Sequence, residues 1–196
     1  MESSMREFAS AAVKNAIATL EAFAREGLDP VVRAAETMAQ AMTSGRKVLA
    51  FGNGGSAADA QHFVAELVNR YQLERPPLPA LALTTDTSTL TSIANDYHFD
   101  EIFVRQIKAL GLEGDVALGI STSGRSPNVL KGLAAAKSRG LVTVGLTGAG
   151  GGEMKPLCDI LIAAPSEDTP RVQEVHAVVV HLLCELVDIR LFGRSK

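Results

Sequence analysis

The chain has 196 residues, of which 46% are hydrophobic, 5% aromatic and none tryptophan. That length suits one domain, or a domain plus an appendage, with enough buried surface to need no staples. Few aromatics among many Ala, Leu and Val residues argue against a β-sandwich. A net charge of −3, with no Lys/Arg run longer than two, excludes a nucleic-acid surface. No stretch approaches the roughly 18 consecutive apolar residues of a membrane span. Charges interrupt every apolar stretch of the opening MESSMREFASAAVKNAI, so no signal peptide is expected. Cys158 and Cys184 read as two lone thiols in a reducing, cytoplasmic compartment.

In chain order, Ser4 to Arg25 places Phe8, Ala11, Ala12, Ile17, Leu20 and Phe23 on a helical stripe. Gly27 stops it. Asp29-Pro30 predicts a new N-cap with proline at the first helical position, and Gly45 ends this second helix. The pattern then alternates. Strands are expected at 47–52, 79–85, 115–120, 141–146 and 159–163. Helices are expected from the first glycine loop to Asn69, near 87–95, near 101–110, from Pro127 to about Arg139, and from Thr169 to Phe192. Short apolar strands separated by helices predict a parallel sheet covered on both faces. The opening helical hairpin lies outside that alternation and is a candidate dimerisation element.

Ligands of open α/β sheets bind beyond the carboxyl ends of the strands. The first such end carries Gly52-Asn53-Gly54-Gly55-Ser56, a tight turn feeding a helix whose N-terminus welcomes an anion. Through Ala57 it also matches the dinucleotide fingerprint G-x-G-x-x-A. The acidic partner expected roughly 20 residues on is missing, and no Lys-Ser/Thr closes a Walker loop. The second end carries Ser121-Thr122-Ser123-Gly124-Arg125-Ser126-Pro127, with Ser126 as expected N-cap. So many hydroxyls at one strand end predict a neutral phosphate cradle. The cluster Gly148 to Gly152 reads as a flexible rim without chemistry of its own.

His62 and Glu66 are four residues apart and share a helix face. Gln173 and His181, eight apart, lie about 80° apart around the last helix. If the two helices meet, a carboxylate, two imidazoles and an amide converge, a set suited to a zinc-type ion or to acid–base work. By spacing alone His176 competes with His181, and Glu174 with Gln173. His62 and Glu66 also read as a solvated surface pair, and His181 as a core histidine. Asn95-Asp96 marks a turn where sugar hydroxyls would find donors and acceptors.

GNGGSAADAQHF, ALTTDTSTLTSIANDY, GISTSGRSPNVL, GLTG with GGEM, and RVQEVH followed by His181 resemble the sugar isomerase (SIS) domain family and, within it, the phosphoheptose isomerases. The resemblance covers nearly the whole chain. It implies one SIS domain over 1–196, with a helical hairpin at 1–45 and an α/β core at 46–196. The fold implied is a three-layer sandwich around a five-stranded parallel, flavodoxin-like sheet. The activity implied is conversion of sedoheptulose 7-phosphate to D-glycero-D-manno-heptose 7-phosphate, which opens the route to ADP-heptose and lipopolysaccharide. A homotetramer with sites at subunit interfaces and one zinc per subunit are implied with it.

Residue by residue, the resemblance assigns His62, Glu66, Gln173 and His181 to the metal, with Glu66 as catalytic base and His181 as partner acid. Ser56, Ser121, Ser123 and Ser126 match phosphate binders. Asn53, Gly54, Gly55, Asn95, Asp96, Thr122 and Gln173 match sugar contacts, and Asp59 lies near the site. His98 and Arg125 depart from the family's usual residues. A rival resemblance, through NRYQLERPPLPALAL, is to the non-enzymatic DnaA initiator-associating protein. That relative lacks the carboxylate and imidazole matching Glu66 and His181. A nicotinamide-dependent oxidoreductase and an isomerase of shorter sugar phosphates are the further alternatives.

Overall fold

The computed structural model describes residues 2–193; the outermost positions of the expected domain, 1 and 194–196, lie outside the described residues. The first helix, α1, runs Glu2–Glu26. At its end the Gly27 N–H donates to the Phe23 carbonyl. The second helix, α2 (Leu28–Thr43), takes Gly27 as its N-cap and so starts ahead of the expected Asp29-Pro30 signal. Pro30 is still accommodated, because a first-turn N–H has no helical partner to lose.

Five strands follow: β1 (Val48–Gly52), β2 (Ala80–Ala82), β3 (Val116–Ser121), β4 (Val142–Thr147) and β5 (Ile160–Ala163). They are all parallel, in the order β2-β1-β3-β4-β5. Between them run α3 (Gly55–Val68), α4 (Thr87–Asp96), α5 (Ile102–Leu110) and α6 (Pro127–Ser138), and α7 (Thr169–Phe192) closes the chain. β2 is shorter than expected. It pairs only with β1 and is entered through Pro76, Pro77 and Pro79, which supply no ladder N–H.

Strand side chains alternate between two cores. Val48, Ala50, Val116 and Leu118 pack with α2, α3 and α7. Leu49, Phe51 and Ala117 pack with α5 and α6 and with Met154 from a 3₁₀ turn, Gly152–Leu157. The result is the expected three-layer sandwich, and α1 lies outside it against α7. The connection from β1 runs to one side, to β2, and that from β3 runs to the other, to β4. The carboxyl ends of β1 and β3 therefore bound the switch-point crevice where ligands enter such sheets.

Candidate active site

Both expected loops open into that crevice. Asn53 Nδ2 donates to Asn128 Oδ1 at 2.8 Å, and Asn128 Nδ2 returns a bond to Asn53 Oδ1 at 2.8 Å. This reciprocal pair ties the β1–α3 loop to the first turn of α6. Gly54 turns the chain at φ 55° and leaves Gly55 and Ser56 in the first turn of α3. In the second loop Ser121 Oγ and Ser126 Oγ lie 2.9 Å apart. Ser126 occupies the N-cap position, yet its side chain makes no cap bond: the expected cap hydroxyl faces Ser121 instead. Ser123 Oγ accepts from the Arg125 N–H at 3.2 Å, and the Thr122 carbonyl accepts from the Gly148 N–H at 3.0 Å. The start of α3, the start of α6 and these hydroxyls are the donor types an anion accepts, with Arg125 the one cation in the two loops.

The Gly148–Gly152 cluster does more than form a rim. Gly124 turns at φ 63°, and a Cβ there would stand 2.5 Å from the Gly151 carbonyl oxygen. The Met154 N–H donates to the Gly124 carbonyl at 3.2 Å. The loop after β4 thus buttresses the hydroxyl loop.

The second half of the site lies where α3 and α7 run side by side in the same direction. A Cβ on Gly55 would fall 2.4 Å from Gln173 Nε2, so the missing side chain is what lets that amide lie on the first turn of α3. Further along, the His62 and His181 rings meet edge to face with centroids 5.0 Å apart. His62 Nε2 is 3.3 Å from Glu66 Oε1. Tyr71 also stacks on His181, with centroids 5.6 Å apart. One imidazole thus stands between the Glu66 carboxylate and the His181 ring. Asp59, one turn before His62, is half-buried; burial raises its carboxyl, and its Oδ2 has no partner.

The spacing ambiguities resolve by location. His176 is fully buried, its Nε2 bonded to the Thr147 carbonyl at 3.1 Å, while His181 is exposed beside His62. Gln173 reaches Gly55, whereas Glu174 pairs with Arg171. Asn95 and Asp96 bond each other at 2.9 Å at the end of α4, and no described hydrogen bond or ion pair joins them to another candidate residue. Asn128 and Tyr71 were missed from the sequence. An asparagine after the helix-starting proline carries a faint signal; Tyr71 carries none, because it follows the end of α3 outside any regular element.

Two imidazoles and a carboxylate are the donor types a zinc-type ion accepts, and His62 contacts both Glu66 and His181. Gln173 lies about two helical turns back along α7. Among the described residues no three His, Cys, Asp or Glu side chains are already drawn together around one point.

The fold is an open, parallel α/β sandwich with its crevice at the carboxyl ends of β1 and β3, and comparison with known proteins gives its family. Residues 13–148 match the SIS domain. A phosphoheptose isomerase of Nitratidesulfovibrio vulgaris strain Hildenborough is 59% identical over 172 residues, covering 88% of this chain and 83% of its own. That of Solidesulfovibrio magneticus is 56% identical over 191 residues, covering 97% and 93%. The solved phosphoheptose isomerase of Neisseria gonorrhoeae superposes with a TM-score of 0.89 at 43% identity, covering 94% of this chain and 98% of that one. The chain belongs to the SIS domain family and, within it, to the phosphoheptose isomerases.

Proposed function

We propose that this protein interconverts sedoheptulose 7-phosphate and D-glycero-D-manno-heptose 7-phosphate, the entry to ADP-heptose synthesis. The observation that carries the reading is the pair of contacts His62 makes with Glu66 and with His181, on two helices whose starts meet at Gly55 and Gln173 beside the loop after β1. Ser56, Ser121, Ser123 and Ser126 take the phosphate. Asn53, Gly54, Gly55, Thr122 and Gln173 meet the sugar chain, joined by Asn95 and Asp96 as the substrate fills the crevice. Glu66 removes the proton from C1 of the ketose while His181 donates one to the C2 carbonyl oxygen, forming the enediol. The O1 proton then returns to His181, the carbonyl forms at C1, and Glu66 delivers its proton to C2. Nothing is gained or lost overall. A zinc ion held by His62, Glu66, Gln173 and His181 would polarise the two substrate oxygens.

Assembly as a cytoplasmic homotetramer belongs to the same proposal. Apolar side chains exposed along α1 support it.

The test is turnover. Pure protein is incubated with sedoheptulose 7-phosphate and the aldose product followed, alongside Glu66→Gln. The variant is expected to lose about 10²–10⁴-fold in kcat with KM little changed, the contribution of one positioned base. Near-wild-type turnover by Glu66→Gln removes the assignment of the base. No product from the wild-type protein, together with binding to the replication initiator, moves the chain to the non-catalytic reading.

A further inference from the structure

Beyond the residues that face the substrate, one buried ion pair sits directly behind the acid–base pair. The Arg75 and Asp188 side chains are 1% and 7% exposed, with Arg75 Nε donating to Asp188 Oδ1 at 2.7 Å. The other arms of the guanidinium close the end of α3. One terminal nitrogen donates to the Glu66 carbonyl at 2.9 Å. The other donates to the Leu67 carbonyl at 2.8 Å and the Pro76 carbonyl at 3.1 Å. The Glu66 and Leu67 carbonyls belong to the last turn of α3, have no partner within the helix, and favour a cation through the helix dipole. Asp188 lies seven residues after His181, two turns on and on the same face of α7. Between them Cys184 packs on the Phe63 carbonyl.

We infer that the Arg75–Asp188 pair is the positioning element of the isomerase centre: it locks the residue that bears the base to the helix that bears the acid. The inference rests on the reading of Glu66 and His181 as that base and acid. Stability alone is a poor reason for the pair, since two well-packed apolar side chains usually serve as well as a buried ion pair. A guanidinium offers something else, a rigid fork whose donors bind several acceptors in one geometry. Here the fork holds the main chain of Glu66 itself and sets its register against α7. Arg75 and Asp188 touch no substrate in this account. They act through the placement of Glu66 and His181, and a misplacement of about 1 Å costs on the order of 100-fold in rate.

The experiment replaces the pair as a unit. Arg75→Met with Asp188→Leu removes both charges together, so neither is left buried and alone. Steady-state kinetics with sedoheptulose 7-phosphate and a thermal melt are run on this variant and on wild type. The expected result is a folded protein with KM within about threefold of wild type and kcat lower by about 10- to 100-fold. A folded double variant with kcat within about twofold of wild type overturns the inference, as does a loss carried by KM. Should the double variant fail to fold, Arg75→Lys decides. It keeps a cation opposite Asp188 but cannot span the carbonyls of Glu66 and Leu67. The same fall in kcat is expected of it, and unchanged kcat overturns the inference. An inactive wild-type protein would instead sink the isomerase reading on which the inference stands.

Discussion

His176 and His181 sit five residues apart on α7 in opposite surroundings. Burial pushes His176 down to about 4, against the single bond to the Thr147 carbonyl that works the other way, and its Nδ1 has no partner. It is neutral in the folded chain, while in the unfolded chain it titrates near 6.5. Above that pH both states are neutral and its contribution to stability is complete. As the pH falls from about 6.5 to about 4, the unfolded chain takes a proton the folded chain refuses, so stability is lost. The full loss is roughly 3 kcal/mol. Urea unfolding between pH 7.5 and 4.5 should show it, and His176→Gln should lower the slope by up to one proton. An unchanged slope would mean that the imidazole is hydrated. The thiols are equally silent: burial, chiefly, pushes Cys158 up to about 12 and raises Cys184 further.

At the scale of elements, the sheet is pinned by one carboxylate that motif reading passed over. Asp115, just before β3, is fully buried. Its Oδ1 accepts from the Lys47 N–H at 3.0 Å, and its Oδ2 from the Leu112 N–H at 2.9 Å and Lys47 Nζ at 2.6 Å. It thereby sets the start of β3 against the start of β1, and with it the level at which both strands deliver their loops to the crevice. Asp115→Asn keeps the volume but replaces one acceptor with a donor facing donors. The expected cost is about 2–3 kcal/mol in urea denaturation, the penalty for leaving buried donors unmade. A change under about 0.5 kcal/mol would show that water substitutes freely there.

At the scale of the molecule, α1 is the part the described chain leaves unfinished. Phe8 is 78% exposed, Met5 66%, Val13 60% and Ile17 51%, a run of apolar side chains on a helix that rests on α7. Covering each fully is worth about 1.5–3 kcal/mol. If the proposed tetramer uses this face, Phe8→Glu combined with Ile17→Glu should shift the mass in light scattering to smaller species. Isomerase activity should fall with it if the sites lie between subunits. A tetramer unaffected by both charges would place the contacts elsewhere.

Much of this was legible in the chain itself. The alternation of short apolar strands and helices set the parallel sheet, because buried parallel strands must be apolar on both faces. Glycine and hydroxyl clusters marked the two strand ends that carry the crevice, because tight turns and anion cradles need those residue types. The ends of α7 were met at Thr169 and Phe192. Local pattern was weaker where a neighbour decides. Ser126 had two possible uses for its hydroxyl, and only the nearness of Ser121 chose between them. Periodicity allowed His176 and His181 equally, since spacing along a helix is blind to what packs on each face. Arg75 fell within the NRYQLERPPLPALAL segment, which gave it no part in the site. Its role appears only once α3, the segment after it and α7 are packed, because a clamp is a relation between distant parts of the chain.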